Sequence, residues 1–321
     1  MRFILLAFIP MTTLTVMAQQ SQSTNVASIR SHLYIDVKAT LGEGALYCMH
    51  DSCLYWVDIE EGILYQCRLP VQHCRRFKLP GRTGTVVRDK NHHAILAMET
   101  GIYSLDLHTE ELCLICSPAE NQTEIRFNDG KCSPAGSLWA GTMSTTGKRK
   151  SGALYRISPD GKFTKMVDSV SISNGIIWSP DGTKMYYVDT PTSAVVEYDY
   201  NTKADTITNP RIVIRIPHEM GFPDGMTIDR DGNLWIAHWG GSGVYCWNPE
   251  TGKLLARVEI PAKNVTSCAF GGTNLDTLFI TTARTGNSEE TLKNYPHSGS
   301  LFIAFPDTRG IPSNSFSKPE Q

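Results

Sequence analysis

An excess of charge of either sign is missing from this chain: 30 Lys and Arg stand against 32 Asp and Glu, a net charge of −2. That balance gives no electrostatic footprint for nucleic acid or an anionic membrane, and it favours a small neutral or weakly charged partner. Long apolar runs are missing as well. The run at residues 3–9 is too short to span a bilayer and gives way to Pro10 and three threonines. There is no Gly-x-Ser-x-Gly, no His-Glu-x-x-His and no glycine-rich phosphate loop, which excludes a serine-hydrolase elbow, a zincin helix and a nucleotide cradle. Amphipathic helical periodicity is scarce throughout.

The N-terminus does carry a leader. Met1-Arg2 is a short positive start, residues 3–9 are apolar, and Val16-Met17-Ala18 is a small-x-small end before Gln19-Gln20. This is the pattern of a secretory signal cleaved after Ala18. The expected organisation is a signal peptide at 1–18, a short leader at 19–31, one folded domain at 32–305 and a flexible tail at 306–321. The mature protein is expected to be exported, periplasmic or secreted, monomeric and free of the membrane. Nine cysteines raise the question of disulfides, but their odd number and scattered spacing do not form a framework. Cys113 and Cys116, inside Leu112-Cys-Leu-Ile-Cys116, read as buried small hydrophobes and not as a redox pair.

An internal repeat sets the architecture. Six short strands beginning at Leu54, Ala94, Leu138, Met185, Leu234 and Leu278 share one apolar pattern, and their starts lie 40, 44, 47, 49 and 44 residues apart. Each follows a turn cluster and an earlier strand, as Ser179-Pro-Asp-Gly182 follows Asn174-Gly-Ile-Ile-Trp178. Most lead to a third strand, such as 152–155 or 243–246, and a less distinct fourth, such as 163–167 or 254–258. Six repeats of up to four antiparallel strands predict an all-β, six-bladed β-propeller. The strand at 33–37 precedes the first repeat and the last repeat lacks an outer strand. The N-terminal strand is therefore expected to complete the last blade and close the ring.

The stretch 222–241 holds two strands about the turn Asp229-Arg-Asp-Gly232. Taken alone, Pro223-Asp224-Gly225 has the composition of an ordinary turn. Register across the repeats adds a second reading. The innermost strand of each blade lines the channel, and near its start stand Glu43, Asn128, Asn174, Asp224 and the pair Thr266-Ser267. Carboxylate and amide oxygens from four repeats thus meet about one axis. Such a cluster, without His or Cys, suits a hard cation such as Ca2+, Mg2+ or Mn2+. The ion would polarise a carbonyl and lower the pKa of a bound water. Arg126 falls on the same strand side as Asn128, where its guanidinium either holds substrate oxygens or makes a surface ion pair.

At these residues the sequence resembles the SMP-30/gluconolactonase/LRE (regucalcin-like) family. The resemblance runs from about Leu41 to Phe305. It is carried by Leu41-Gly-Glu-Gly44, Arg126-Phe-Asn-Asp-Gly-Lys131 with Ala140-Gly-Thr-Met143, Ile172-Ser-Asn-Gly175, Pro223-Asp-Gly-Met226 and Thr266-Ser-Cys-Ala-Phe-Gly-Gly272. It implies a six-bladed propeller with one divalent metal in the channel and hydrolysis of sugar lactones to aldonic acids. Residue by residue, it implies Glu43, Asn174 and Asp224 as metal ligands, Asp224 also as the catalytic proton-transfer residue, and Arg126 and Asn128 as substrate-binding positions. The expected cofactor is one divalent ion, Ca2+ first, with Zn2+, Mg2+ and Mn2+ as alternatives. The expected partner is a small-molecule sugar lactone.

One loop departs from the animal members of that family, whose longer acidic loop is replaced here by Ser144-Thr-Thr-Gly-Lys-Arg-Lys-Ser151. Lys148, Arg149 and Lys150 either attract a carboxylate-bearing substrate or form an exposed basic run. Asp229-Arg-Asp-Gly-Asn233 begins like an EF-hand loop but has Leu234 where that loop needs Gly, so it reads as a hairpin turn. His238 and Trp239 end a channel-near strand, either as core and rim or as pocket border. The segment 284–297, helical about 288–294, has the length of a lid. Two further readings of function stand beside the lactonase: a non-catalytic propeller that binds a divalent cation or another ligand, and a hydrolase of another lactone or ester.

Overall fold

The structure is a computed structural model that describes residues 26–70, 74–119 and 123–317. The expected signal peptide and residues 19–25 of the leader lie outside the described residues. The described chain begins with β1 (Ala27–Ile35). Four antiparallel sheets of four strands follow in chain order. They are β2 (Gly42–Cys48), β3 (Cys53–Asp58), β4 (Ile63–Arg68) and β5 (Cys74–Lys78); β6 (Thr83–Arg88), β7 (His93–Met98), β8 (Gly101–Asp106) and β9 (Leu112–Cys116); β10 (Ile125–Cys132), β11 (Leu138–Ser144), β12 (Gly152–Ile157) and β13 (Phe163–Val170); and β14 (Ser173–Trp178), β15 (Lys184–Asp189), β16 (Ala194–Asn201) and β17 (Thr206–Arg215). The remaining strands are β18 (Phe222–Ile228), β19 (Leu234–Trp239), β20 (Gly243–Asn248), β21 (Lys253–Glu259), β22 (Asn264–Gly271), β23 (Thr277–Ala283) and β24 (Leu301–Ala304). These join β1 in one eight-stranded sheet of order β18-β19-β20-β21-β1-β24-β23-β22.

β1 runs antiparallel to β24 from Ser31 to Ile35 and parallel to β21 from Ala27 to Arg30. The N-terminal strand thus supplies the outer strand that β22 to β24 lack. It starts earlier than expected, at Ala27, so part of the expected leader belongs to the fold. The first strand of each group packs against the first of the next: β2 on β6, β6 on β10, β10 on β14, β14 on β18, β18 on β22, and β22 back on β2. The result is an all-β, propeller-like ring about a central channel.

A sheet lies on either side of each sheet, which explains strands that are apolar on both faces. On β3, Leu54 and Trp56 enter the core that holds Leu278 and Phe279, while Tyr55 and Val57 enter the core of Val86 and Leu96. Trp56 stacks on Tyr65 at 4.7 Å, and its truncation to Ala would cost about 3–5 kcal/mol. At the β18–β19 hairpin, Asp229 Oδ1 accepts from the N–H of Asp231 (3.0 Å) and Asn233 (2.8 Å), and Oδ2 accepts from Trp235 Nε1 (3.0 Å). Its carboxylate is occupied by the turn, in agreement with the hairpin reading.

Two expectations need correction, the burial of Cys113 and Cys116 and the looseness of the tail. Cys113 is exposed and Cys116 only half-buried, because β9 is the outer edge strand of its sheet. Cys67 and Cys74, cross-strand partners on β4 and β5, form a disulfide. It is a local staple between neighbouring strands rather than a framework.

The tail expected to be flexible is fixed as far as residue 317. Gly310 N donates to Leu275 O (2.8 Å), Ser313 Oγ to Tyr47 O (2.8 Å), Phe316 N to Arg88 O (2.8 Å) and Ser317 N to Gly136 O (3.1 Å). Phe316 is buried in the core of Val87 and Ile157. Residues 311–314 face a cavity of about 290 Å³ beside Leu46, Val87, Cys132, Trp178 and Phe270. Those residues stand at the C-terminal ends of the inner strands, so this strap lies across the far mouth of the channel.

Candidate active site

The near mouth is built where the inner strands begin. Each of the six has an irregular register there: between Glu43 and Leu46, Thr83 and Thr85, Phe127 and Gly130, Asn174 and Ile176, Pro223 and Met226, and Val265 and Ser267. Such bulges interrupt the ladder and re-aim side chains. Glycine lets neighbouring inner strands close around them. A Cβ on Gly175 would stand 2.6 Å from Asp224 O, and one on Gly225 would stand 2.8 Å from Ser267 Oγ.

A cavity of about 500 Å³ opens at this end. Glu43, Arg126, Asn128, Asn174 and Asp224, the five residues singled out from sequence, all line it. The fifth set does not: Thr266 Oγ1 donates to Gly42 O (2.5 Å) and so stitches β22 to β2 at the ring closure, while Ser267 is buried against Gly225. Trp239 is on the cavity wall, whereas His238 is fully buried away from it. His238 Nδ1 donates to Met220 O (2.9 Å), and the ring stacks on Tyr245 at 4.1 Å. Burial lowers its pKa to about 4. The 284–297 insertion does form the helix α1 (Glu289–Asn294), capped by Ser288, which accepts from Thr291 N at 3.1 Å. Only Thr285 of that segment reaches the cavity wall, so the helix is no lid.

The polar groups form a connected set. Arg126 Nη1 donates to Phe127 O (2.9 Å) and Asn128 Oδ1 (2.7 Å), and Asn128 Nδ2 donates to Ser173 O (2.8 Å). Asn174 Nδ2 donates to Thr190 Oγ1 (2.9 Å), whose hydroxyl donates to Pro223 O (2.9 Å). These bonds turn Asn174 Oδ1 away from the backbone. Among the described residues Asn174 Oδ1 and Asp224 Oδ1 are buried without a partner. Orphaned buried acceptors cost about 1–3 kcal/mol each, so they mark a place where something else binds.

Electrostatics point the same way. Burial, then the nearby Asp129, pushes the Glu43 carboxyl up to about 8. Burial, then Glu43 and Asp129, pushes Asp224 well above the usual carboxylate range. Burial also raises Asp129 and draws the Arg126 guanidinium down, against the opposing pull of Glu60 and Glu43. Close acids that resist ionisation are relieved by a cation. Among the described residues no three His, Cys, Asp or Glu side chains gather into a ligand set. A cation here would therefore use the Asn174 amide oxygen together with Glu43 and Asp224, an all-oxygen donor set that fits a hard ion.

Sequence reasoning missed Asp129. It follows Asn128 at the bulge, with Oδ1 accepting from Gly130 N (2.7 Å) and Oδ2 buried without a partner among the described residues. The signal was present in Asn-Asp-Gly, where a bulge lets two successive side chains leave the ladder. Glu60 and Thr190 line the cavity wall, which Asp129 does not, and stand outside the repeat positions near the inner-strand starts.

A family profile described as SMP-30/Gluconolactonase/LRE-like region matches residues 41–284. The chain belongs to this family. YvrE of Bacillus subtilis, provisionally named a sugar lactone lactonase, is 40% identical over 278 residues, covering 87% of this chain and 95% of YvrE. Regucalcin of Oryctolagus cuniculus is 31% identical over 297 residues, 91% of this chain and 99% of its own. Among solved structures, a calcium-binding protein, regucalcin, from Agrobacterium tumefaciens superposes with a TM-score of 0.87 at 26% identity, covering 91% of this chain and 99% of that one.

Proposed function

We propose that the protein is a lactonase that hydrolyses a small sugar lactone to its hydroxy acid with one divalent cation, Ca2+ in first place. The observation that carries this reading is the pair of buried, unpartnered oxygens Asn174 Oδ1 and Asp224 Oδ1, which share one cavity with Glu43 and come from separate strands. Membership of the family and the names of its relatives support it.

Glu43, Asn174 and Asp224 would hold the ion through oxygen. When bound, the ion supplies Lewis acidity toward a carbonyl oxygen. Arg126 and Asn128 hold the ring and hydroxyl oxygens of the substrate, and Trp239 and Phe222 give an apolar wall for its C–H faces. Asp224 takes the proton of the attacking water as the water oxygen bonds to the lactone carbonyl carbon. The ring C–O bond then breaks, and the proton passes to the departing ring oxygen.

We read the eight-stranded sheet as two blades, β18 to β21 and β22 to β24 with β1, joined edge to edge. The closed cycle of inner-strand contacts supports a six-bladed ring. Export under the signal at residues 1–18 belongs to the same reading, and mass analysis of a mature chain beginning at Gln19 tests it. The reaction itself is tested by proton release on five- and six-membered aldonolactones, first with chelator and then with single metals restored. Chelator-sensitive turnover that Ca2+ or another divalent ion restores is expected. No metal-dependent hydrolysis of any lactone would favour the cation-binding propeller.

A further inference from the structure

Three basic residues stand on the loop between β11 and β12, and the fold treats them differently. Lys148, Arg149 and Lys150 are all exposed, yet Arg149 alone of the three lines the cavity of Glu43 and Asp224. The loop is held in place around it. Ser151 Oγ donates to Lys148 O (2.8 Å), Lys150 N donates to Ser171 Oγ (3.2 Å), and Met143 bridges to Ile172 at the base. Among the described residues Arg149 itself has no ion pair and no hydrogen bond.

The charge on the cavity wall can be balanced group by group. Glu60 is paired with Arg82 at 3.2 Å. Under the lactonase reading, on which this inference rests, Glu43 and Asp224 are balanced by a divalent ion. Arg126 is buried and tied to Phe127 O and Asn128 Oδ1 at the reacting end. Arg149 is then the exposed cation at the mouth that no acid pairs with among the described residues. A neutral hydroxymethyl group placed there would leave the guanidinium to water, whereas a carboxylate would meet its fork with two parallel charge-assisted hydrogen bonds.

We propose that Arg149 is a specificity residue that receives a carboxylate of the substrate, so that the preferred substrate is a sugar lactone with a second acidic group, an aldarolactone, ahead of the neutral aldonolactone. A guanidinium at the mouth also draws an anionic substrate in from solution, an effect that added salt weakens.

The test compares the native chain with Arg149→Met, Arg149→Lys and Lys148→Met on glucaro-1,4-lactone and glucono-1,5-lactone. Calorimetric binding of glucarate and gluconate is measured in parallel as a readout that needs no turnover. Arg149→Met is expected to lower the ratio of kcat/KM for the acidic over the neutral lactone by about 10–100-fold, chiefly through KM. Arg149→Lys should fall between, Lys148→Met should leave the ratio unchanged, and glucarate binding should weaken in step. An equal loss on both lactones, or an equal effect of Lys148→Met, overturns the proposal. If neither lactone is turned over with any metal, the lactonase reading falls and calorimetry still decides. A preference for glucarate over gluconate that depends on Arg149 upholds the anion-recognising mouth, and its absence overturns it.

Discussion

Arg126 Nη1 lies 2.7 Å from Asn128 Oδ1, and the Asn128 amide donates onward to Ser173 O at 2.8 Å. One relay of hydrogen bonds therefore ties the cationic wall of the cavity to the strand that carries Asn174. Asn128→Ala breaks the relay at its centre and leaves a buried carbonyl and a buried guanidinium short of a partner. A stability loss of about 1–3 kcal/mol is expected in urea melts, together with a fall in kcat/KM of about 10–100-fold. A variant with unchanged kinetics would remove Asn128 from the substrate site.

Asp224→Asn should lower lactone turnover by about 100–10,000-fold while the ring stays folded. Its thermal midpoint should equal or exceed that of the native chain, since the amide relieves a buried acid crowded by Glu43 and Asp129. Near-normal turnover would sink the proton-transfer assignment.

Glu43 sets a pH dependence whose sign is fixed. Its folded pKa, about 8 against an ordinary 4.5, means that the folded, metal-free protein keeps a proton the unfolded chain releases. Metal-free stability therefore falls as pH rises from about 4.5 to about 8. A divalent ion takes the place of that proton, so Ca2+ should raise the thermal midpoint little at pH 5 and most near pH 8. Melts across that range with Ca2+ or chelator check this, and Glu43→Gln should flatten both trends.

His238 works in the opposite direction. Its folded pKa of about 4 lies below the ordinary 6.5, so the unfolded chain takes up a proton that the folded chain refuses. The stability it contributes is complete above pH 6.5 and is lost as pH falls toward 4, by up to about 3 kcal/mol. His238→Gln keeps a donor for Met220 O and should weaken the acid limb. Parallel urea midpoints at pH 7 and pH 4.5 for the two proteins would refute the point.

The C-terminal strap is expected to matter for stability. Phe316→Ala should cost about 3 kcal/mol, and a chain ending at residue 308 should lose more, because the backbone bonds to Leu275, Arg88 and Gly136 go with it. An unchanged thermal midpoint in both variants would contradict the packed strap.

How much of this was legible beforehand follows from what local patterns can encode. The repeat of turn, strand and aromatic residue located the sheets, and aligning the repeats put Glu43, Arg126, Asn128, Asn174 and Asp224 in one cavity. Asp129 was hidden because period-two reading assigns one face to each strand residue, and a bulge suspends that rule. The strap was hidden because its prolines and serines resemble a loose tail, while its bonds are to backbone atoms of distant strand ends. Cys113 and Cys116 read as buried because an apolar run does not tell an edge strand from a central one. Arg149 and Lys148 carry the same local signal, and only the anchored loop separates them.

The cavity under the strap and the cavity of Glu43 and Asp224 share no lining residue, so the site is reached from the near mouth. On the lactonase reading, the released acid would leave past the same Arg149 and Trp239 that the incoming lactone passes.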